Sequence, residues 1–194
     1  VLFEEASAAF PGCMEGYSRR YVRVAAQAAP LSALQQARQA YARADYRAAM
    51  GALRDAVDSP EAAGLFVRAA ANAGDLEEAE KRAASAAKGH PLSPELHLLR
   101  GLVLAELGRD EEAVESVQRA LYLDRGLAIA HVVLGSIEAR RGDAEAARRS
   151  LRNALRIAQS MPADAPVPMA DGQSAGRLVQ VVSAQLLLLE TAGR

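Results

Sequence analysis

Small and apolar residues recur along this chain with a period of 34 residues. Gly101, Gly108, Ala113, Ala120 and Leu121 return as Gly135, Gly142, Ala147, Ala154 and Leu155, and His97 returns as His131. One step back from Gly108, Ala113 and Ala120 stand Gly74, Ala79 and Ala86, so three consecutive units are in register. A fixed period of this length marks a stacked array in which each unit buries its apolar face on the next. Within a unit the spacing predicts two antiparallel helices. The glycines at 74, 108 and 142 fall where the first helix ends, because a left-handed cap favours a residue without Cβ. Asp75, Asp110 and Asp143 follow, suited to the start of the second helix by capping and by the helix dipole. The two alanines lie seven apart on one face of the second helix, where a methyl lets the neighbouring helix approach, and Gly101 and Gly135 do the same on the first helix.

This pattern resembles the tetratricopeptide repeat, with its Gly and Ala at these offsets in a 34-residue helix-turn-helix. The resemblance implies an all-α solenoid, a right-handed superhelix of helix pairs. An earlier unit is shorter: Ala44, Ala49 and Ala56 precede their counterparts by 30 residues, a loss of about one helical turn, at the second helix or at the connection through Asp58, Ser59 and Pro60. Ahead of it, Tyr17, Tyr21, Val24 and Ala28 share one helical face, which predicts a leading helix over 14–29 after a linker. Three prolines between 161 and 168 exclude a helix there. A final helix over about 173–191 carries Leu178, Val179, Val182, Leu186 and Leu189 on a broad apolar face that Val181 and Leu188 widen, as a capping helix would. The expected organisation is a linker and leading helix at 1–29, an array at 30–160 with units 30–59, 60–93, 94–127 and 128–160, and a Pro-rich loop with a C-terminal capping helix at 161–194.

Composition narrows the function classes. Trp is absent and aromatics are 4%, so the core is built from small and straight-chain residues. A net charge of −1 gives no overall field for a nucleic acid or an anionic membrane. The single cysteine, Cys13, excludes an internal disulfide and fits a reducing compartment. With no run of about 20 apolar residues, membrane insertion is not expected. Val1 is followed by no charged-then-apolar leader, which points to a cytoplasmic protein whose true start lies upstream. No strand is predicted and no glycine-rich turn follows one, so no cofactor site and no catalytic residue is assigned to this chain.

The last third carries a narrower resemblance. Residues 120–124 (Ala-Leu-Tyr-Leu-Asp), Ala130 and His131, Leu134 and Gly135, Asn153 to Leu155, the Pro-rich loop, then Asp171 and Gly172 followed by residues 175–178 (Ala-Gly-Arg-Leu) resemble the repeat region of CheR-type chemoreceptor glutamate methyltransferases, FrzF and WspC among them. It spans about 94–180, and the loop with its Asp-Gly and Ala-Gly-Arg-Leu ending is the distinguishing part. Arg125 departs from it, standing where the family has a proline and where Pro91 stands one unit earlier. The resemblance implies a regulatory module that directs or modulates methylation by an upstream domain, to which S-adenosylmethionine would belong. Its partners would be a chemoreceptor, that methyltransferase domain or a signalling protein. A free-standing scaffold or assembly chaperone of a secretion or pilus system is the alternative.

Two surfaces are candidate sites. Stacked first helices create an inner, concave face, and the register places Arg38, Tyr41, Arg68, Asn72, Leu98, Leu102, Glu106, Val132, Ser136 and Arg140 on it. The Lys and Asn carboxylate clamp of chaperone-binding relatives is absent, since Gly64 and Arg68, Leu98 and Leu102, and Val132 and Ser136 hold those places. An apolar centre with arginines at its margins suits an amphipathic helix, unless the chain's own C-terminal segment covers Leu98, Leu102 and Val132. Charge also divides along the axis: residues 61–115 hold 11 acidic and 6 basic side chains, and 116–160 hold 4 and 8. Arg148, Arg149, Arg152 and Arg156 form a basic stripe on one helix, either a solvated face or a contact for an acidic protein such as a glutamate-rich receptor helix. His97 and His131 occupy a packing position, too far apart to share a metal.

Overall fold

The computed structural model describes residues 31–55, 59–170 and 172–191; the expected linker and leading helix at 1–29 lie outside them. Nine helices and no strand are present among the described residues: α1 Ala33–Ala42, α2 Tyr46–Leu53, α3 Pro60–Asn72, α4 Leu76–Gly89, α5 Pro94–Glu106, α6 Asp110–Leu123, α7 Ala128–Arg140, α8 Ala144–Gln159 and α9 Ala175–Thr191. They pack as pairs, α1 with α2 through α7 with α8, each pair touching the next, and α9 closes the array against α8. None is long and apolar enough to cross a membrane. In the shorter first unit the second helix is the reduced element, since α2 has 8 residues where α4 has 14.

One turn is built four times. At the end of each first helix the C″ amide bonds back five residues and the C′ amide three, as in Asp75 N to Ala70 O at 2.9 Å and Gly74 N to Ala71 O at 3.0 Å. This closure requires a left-handed residue at C′, and Gly74, Gly108 and Gly142 supply it at φ 83°, 72° and 82°. The same turn in the first unit holds Ala44 at φ 58°, where a Cβ is strained. Ala44→Gly is therefore expected to stabilise the fold by about 0.5–1 kcal/mol, after allowing for the added freedom of glycine in the unfolded chain, read as a higher denaturant midpoint. The C″ residue then starts the second helix. Asp45, Asp75 and Asp143 each accept a hydrogen bond from the amide three residues on. In the third unit this place is Arg109, which makes no side-chain cap; Asp110 sits one position later, so it acts on the helix by charge rather than by capping.

Helix pairs fit by a size exchange between two facing positions. A Cβ built on Gly101 would stand 2.5 Å from Val117 Cγ2, and one on Gly135 would stand 2.9 Å from Leu151 Cγ. The register places Val67 opposite Ala83 in the unit before, and Ala37 opposite Leu53 in the first. All four are at most 1% exposed. Each unit thus fills the contact with one large and one small residue, but the large one changes sides.

The Pro-rich loop has a fixed shape. Val167 N donates to Gln173 O at 2.9 Å, Ala175 N to Ala165 O at 2.9 Å and Gly176 N to Ala163 O at 2.8 Å, a clasp that runs straight into α9. Gly176 lets the two sides of the clasp approach closely, since a Cβ there would stand 3.0 Å from Ala163 O, tighter than an ordinary contact. Val167 and Ala170 are 4% and 8% exposed, in a core with Leu151, Ala158, Leu178 and Val182. Among the apolar residues of α9, Leu187 and Leu188 stay 61% and 67% exposed.

Candidate protein-binding groove

Five of the ten residues assigned to the concave face converge. Tyr41 of α1, Arg68 and Asn72 of α3, and Leu102 and Glu106 of α5 line a cleft of about 150 Å³ whose floor is Val67, Ala71, Leu99 and Val103. Asn72 Nδ2 donates to Tyr41 Oη at 2.8 Å, bridging the first two units. The Nε of Arg68 is buried with no hydrogen-bond partner among the described residues, an orphan donor whose desolvation costs about 1–3 kcal/mol. Met169 of the Pro-rich loop also lines this cleft. It packs against both the core of the first units and the cluster around Leu98, with φ 65°, a left-handed conformation rare for methionine.

The other five residues are placed differently. Arg38 pairs with Glu61 across the first two units. Leu98 is fully buried with Val117, Ala120, Leu127 and Leu134, so it belongs to the core and not to a groove wall. Val132 is half-buried against the cluster that contains Val167, Ala170 and Leu178. Ser136 is half-buried. Arg140 is held by Asp110 at 2.5 Å, and its pKa is raised first by that hydrogen bond. The two readings of the apolar centre therefore divide along the array. At α7, Val132 packs against the cluster that holds residues of the loop and of α9, while the residues of α1, α3 and α5 line a cleft that Met169 also lines.

Both repeat histidines have a structural task. His97 Nε2 lies 3.0 Å from Pro91 O and His131 Nε2 lies 3.3 Å from Arg125 O, so each ring ties its helix to the turn six residues earlier. Burial holds the His131 imidazole below its ordinary pKa, with the nearby Arg156 charge adding to it against the hydrogen bond to Arg125 O. No group of acidic, His or Cys side chains that could hold a metal exists among the described residues.

The basic stripe loses one member. Arg148 donates to Glu145 at 2.9 Å and to the carbonyl of Leu189 at 2.8 Å, so it fastens α9 to α8. Arg149, Arg152 and Arg156 remain exposed. What the periodicity missed is the role of the loop: three prolines mark it as non-helical, but only the packing of Val167 and Met169 makes it part of the groove.

Residues 65–128 match the family model of the tetratricopeptide repeat. No curated protein matches the chain in sequence. Three solved structures similar to it are a thermophilic TPR protein in Thermus thermophilus, at 21% identity over 96% of this chain and 88% of that one with TM-score 0.63; PcrH in complex with the chaperone binding region of PopD, at 17% over 66% and 89% with TM-score 0.59; and the Yersinia enterocolitica type III secretion chaperone SycD in complex with a peptide of the translocator YopD, at 15% over 69% and 94% with TM-score 0.58. At these identities the likeness is one of fold: the chain is an all-α solenoid of tetratricopeptide type.

Proposed function

We propose that the open part of the concave face, over α1, α3 and α5, receives an amphipathic segment of a partner protein. The cleft lined by Tyr41, Arg68, Asn72, Leu102, Glu106 and Met169 carries this reading. It combines an apolar floor with a rim of Tyr41, Asn72, Arg68 and Glu106, and the chain itself lays an apolar side chain into it. A partner carbonyl or carboxylate reaching the orphan Nε of Arg68 would satisfy a donor that the free chain leaves unpaired. Two proteins of this fold are known with a segment of another protein bound, which supports the same use of the fold here.

We further propose that the module serves a CheR-type chemoreceptor glutamate methyltransferase, in the cytoplasm, by docking the receptor, the catalytic domain or a signalling protein. The support is the resemblance of residues 94–180, whose distinguishing ending forms the clasp beside the groove. Leu102→Asp and Asn72→Ala in the methyltransferase that carries this chain are expected to change the rate of receptor methylation, or the glutamates chosen, several-fold. Unchanged rate and pattern in both variants would rule this role out. The coding sequence upstream of Val1 separates it from a free-standing secretion chaperone, because only the first requires an in-frame methyltransferase domain.

A further inference from the structure

A second cleft, of about 370 Å³, opens where the C-terminal half of α6, the turn after it and the start of α7 meet the C-terminal half of α8. Its charged walls are Arg125 and Arg156, with Gln118 and Asn153 as neutral donors and Tyr122 and His131 as rings. Tyr122 is 73% exposed, and Arg119 stacks on it with its guanidinium carbon 5.4 Å from the ring centre.

The framework of this cleft is repeated one unit earlier, but the arginine pair of its walls is not; the cations there stand at other places, Lys88 at that of Tyr122 and Arg119 at that of Asn153. His97 occupies the place of His131 and makes the same bond to its turn. Yet Pro91 stands in place of Arg125, Tyr122 in place of Arg156 and Ala84 in place of Gln118. A feature needed for stacking would recur with the period; the arginine pair is an addition to the last unit alone. Nor do the arginines serve the fold by pairing. At the seams between units Arg100, Arg109, Arg140 and Arg141 each meet a carboxylate, whereas Arg125, Arg152 and Arg156 make no ion pair among the described residues. Arg149, Arg152 and Arg156 continue from the cleft along one exposed face of α8 at successive turns.

We propose that this surface binds an acidic helical segment of a partner protein, lying along α8 with one carboxylate seated between Arg125 and Arg156. Carboxylates three or four residues apart on the ligand match the arginine spacing of about one turn, and a planar guanidinium is suited to bidentate pairing with a carboxylate. A single exposed ring and a chain of net charge −1 do not make a platform for stacked bases. The site is independent of what fills the concave groove, because it lies on other helices.

The test is fluorescence anisotropy of the full chain with a labelled helical peptide of about four turns, carrying glutamates along one face, and with its glutamine counterpart. Arg125→Pro restores the residue of the preceding unit. Asp124 is already extended at φ −142°, ψ 103°, the conformation that a following proline favours. Combined with Arg156→Gln it is expected to leave the melting curve in place and to weaken glutamate-peptide binding at least about tenfold; Arg156→Gln alone gives a smaller loss in the same direction. Rising salt weakens the wild-type complex, and the glutamine peptide does not bind. Equal affinity of wild type and double variant, or equal affinity for the two peptides, would overturn the proposal. So would tighter binding of a single-stranded oligonucleotide of the same charge.

Discussion

Gly101→Val is expected to destabilise the array by about 3 kcal/mol, and Val117→Ala in the same chain to restore more than half of the loss. The valine forces its Cβ to within 2.5 Å of Val117 Cγ2, so α5 and α6 must separate or both side chains must leave their rotamers. The rescue follows from the array itself. Val67 facing Ala83 is the same contact with large and small residues exchanged, buried to 1% and 0% exposure. Val117→Ala alone leaves a cavity and costs about 1–3 kcal/mol, so the double variant should be more stable than either single one. Thermal or denaturant unfolding of the four chains checks this. Additive losses would mean that the two positions do not share the contact.

The second large effect is expected at Val167. Its replacement by aspartate puts a carboxylate among Leu151, Leu178 and Val182, where burial without partners costs on the order of 3 kcal/mol or more. The loop is then expected to leave the groove as a unit, because its contacts depend on the hydrogen bonds of Val167, Ala175 and Gly176. Hydrogen exchange should show those three amides losing protection while α3 to α6 keep theirs, as repeats touch only their neighbours. Met169→Gly separates plug from clasp. Glycine accepts φ 65° without strain, so the clasp should stay protected while the cleft beside Leu102 opens. Loss of protection throughout the chain in Val167→Asp would show that the loop supports the whole core, not the groove alone.

The helix pairs and their turns were legible in the residues, because backbone demands recur with the period. A left-handed C′ position selects glycine at 74, 108 and 142, and Asp75 and Asp143 start helices as their place in the turn suggests. Where the third unit substitutes Arg109 the cap is missing, though the turn survives on backbone bonds alone. Groove membership was legible only in part. Tyr41, Arg68, Asn72, Leu102 and Glu106 follow from the register, since they project from equivalent faces of first helices. Leu98 did not, because its burial depends on a neighbouring helix pair and on Met169, which lies 71 residues downstream and outside the period. Arg148 was lost from the basic stripe for a similar reason: its partner is a carbonyl of α9, and no spacing rule in α8 foretells it. Arg125 is the reverse case, a visible departure from the repeat whose meaning emerged only when the turn was seen to wall a cleft.

Docking of a protein segment on the concave face over the first three units is open to direct observation. Methyl-resolved NMR of the full chain tests it most directly, titrated separately with the cytoplasmic methylation segment of a chemoreceptor and with a CheR-type catalytic domain. One of them is expected to shift the methyl signals of Leu102, Val103 and Met169 while those of Leu187 and Leu188 on α9 stay in place. Groove methyls that move with neither titrant, or shifts confined to Leu187 and Leu188, would contradict it.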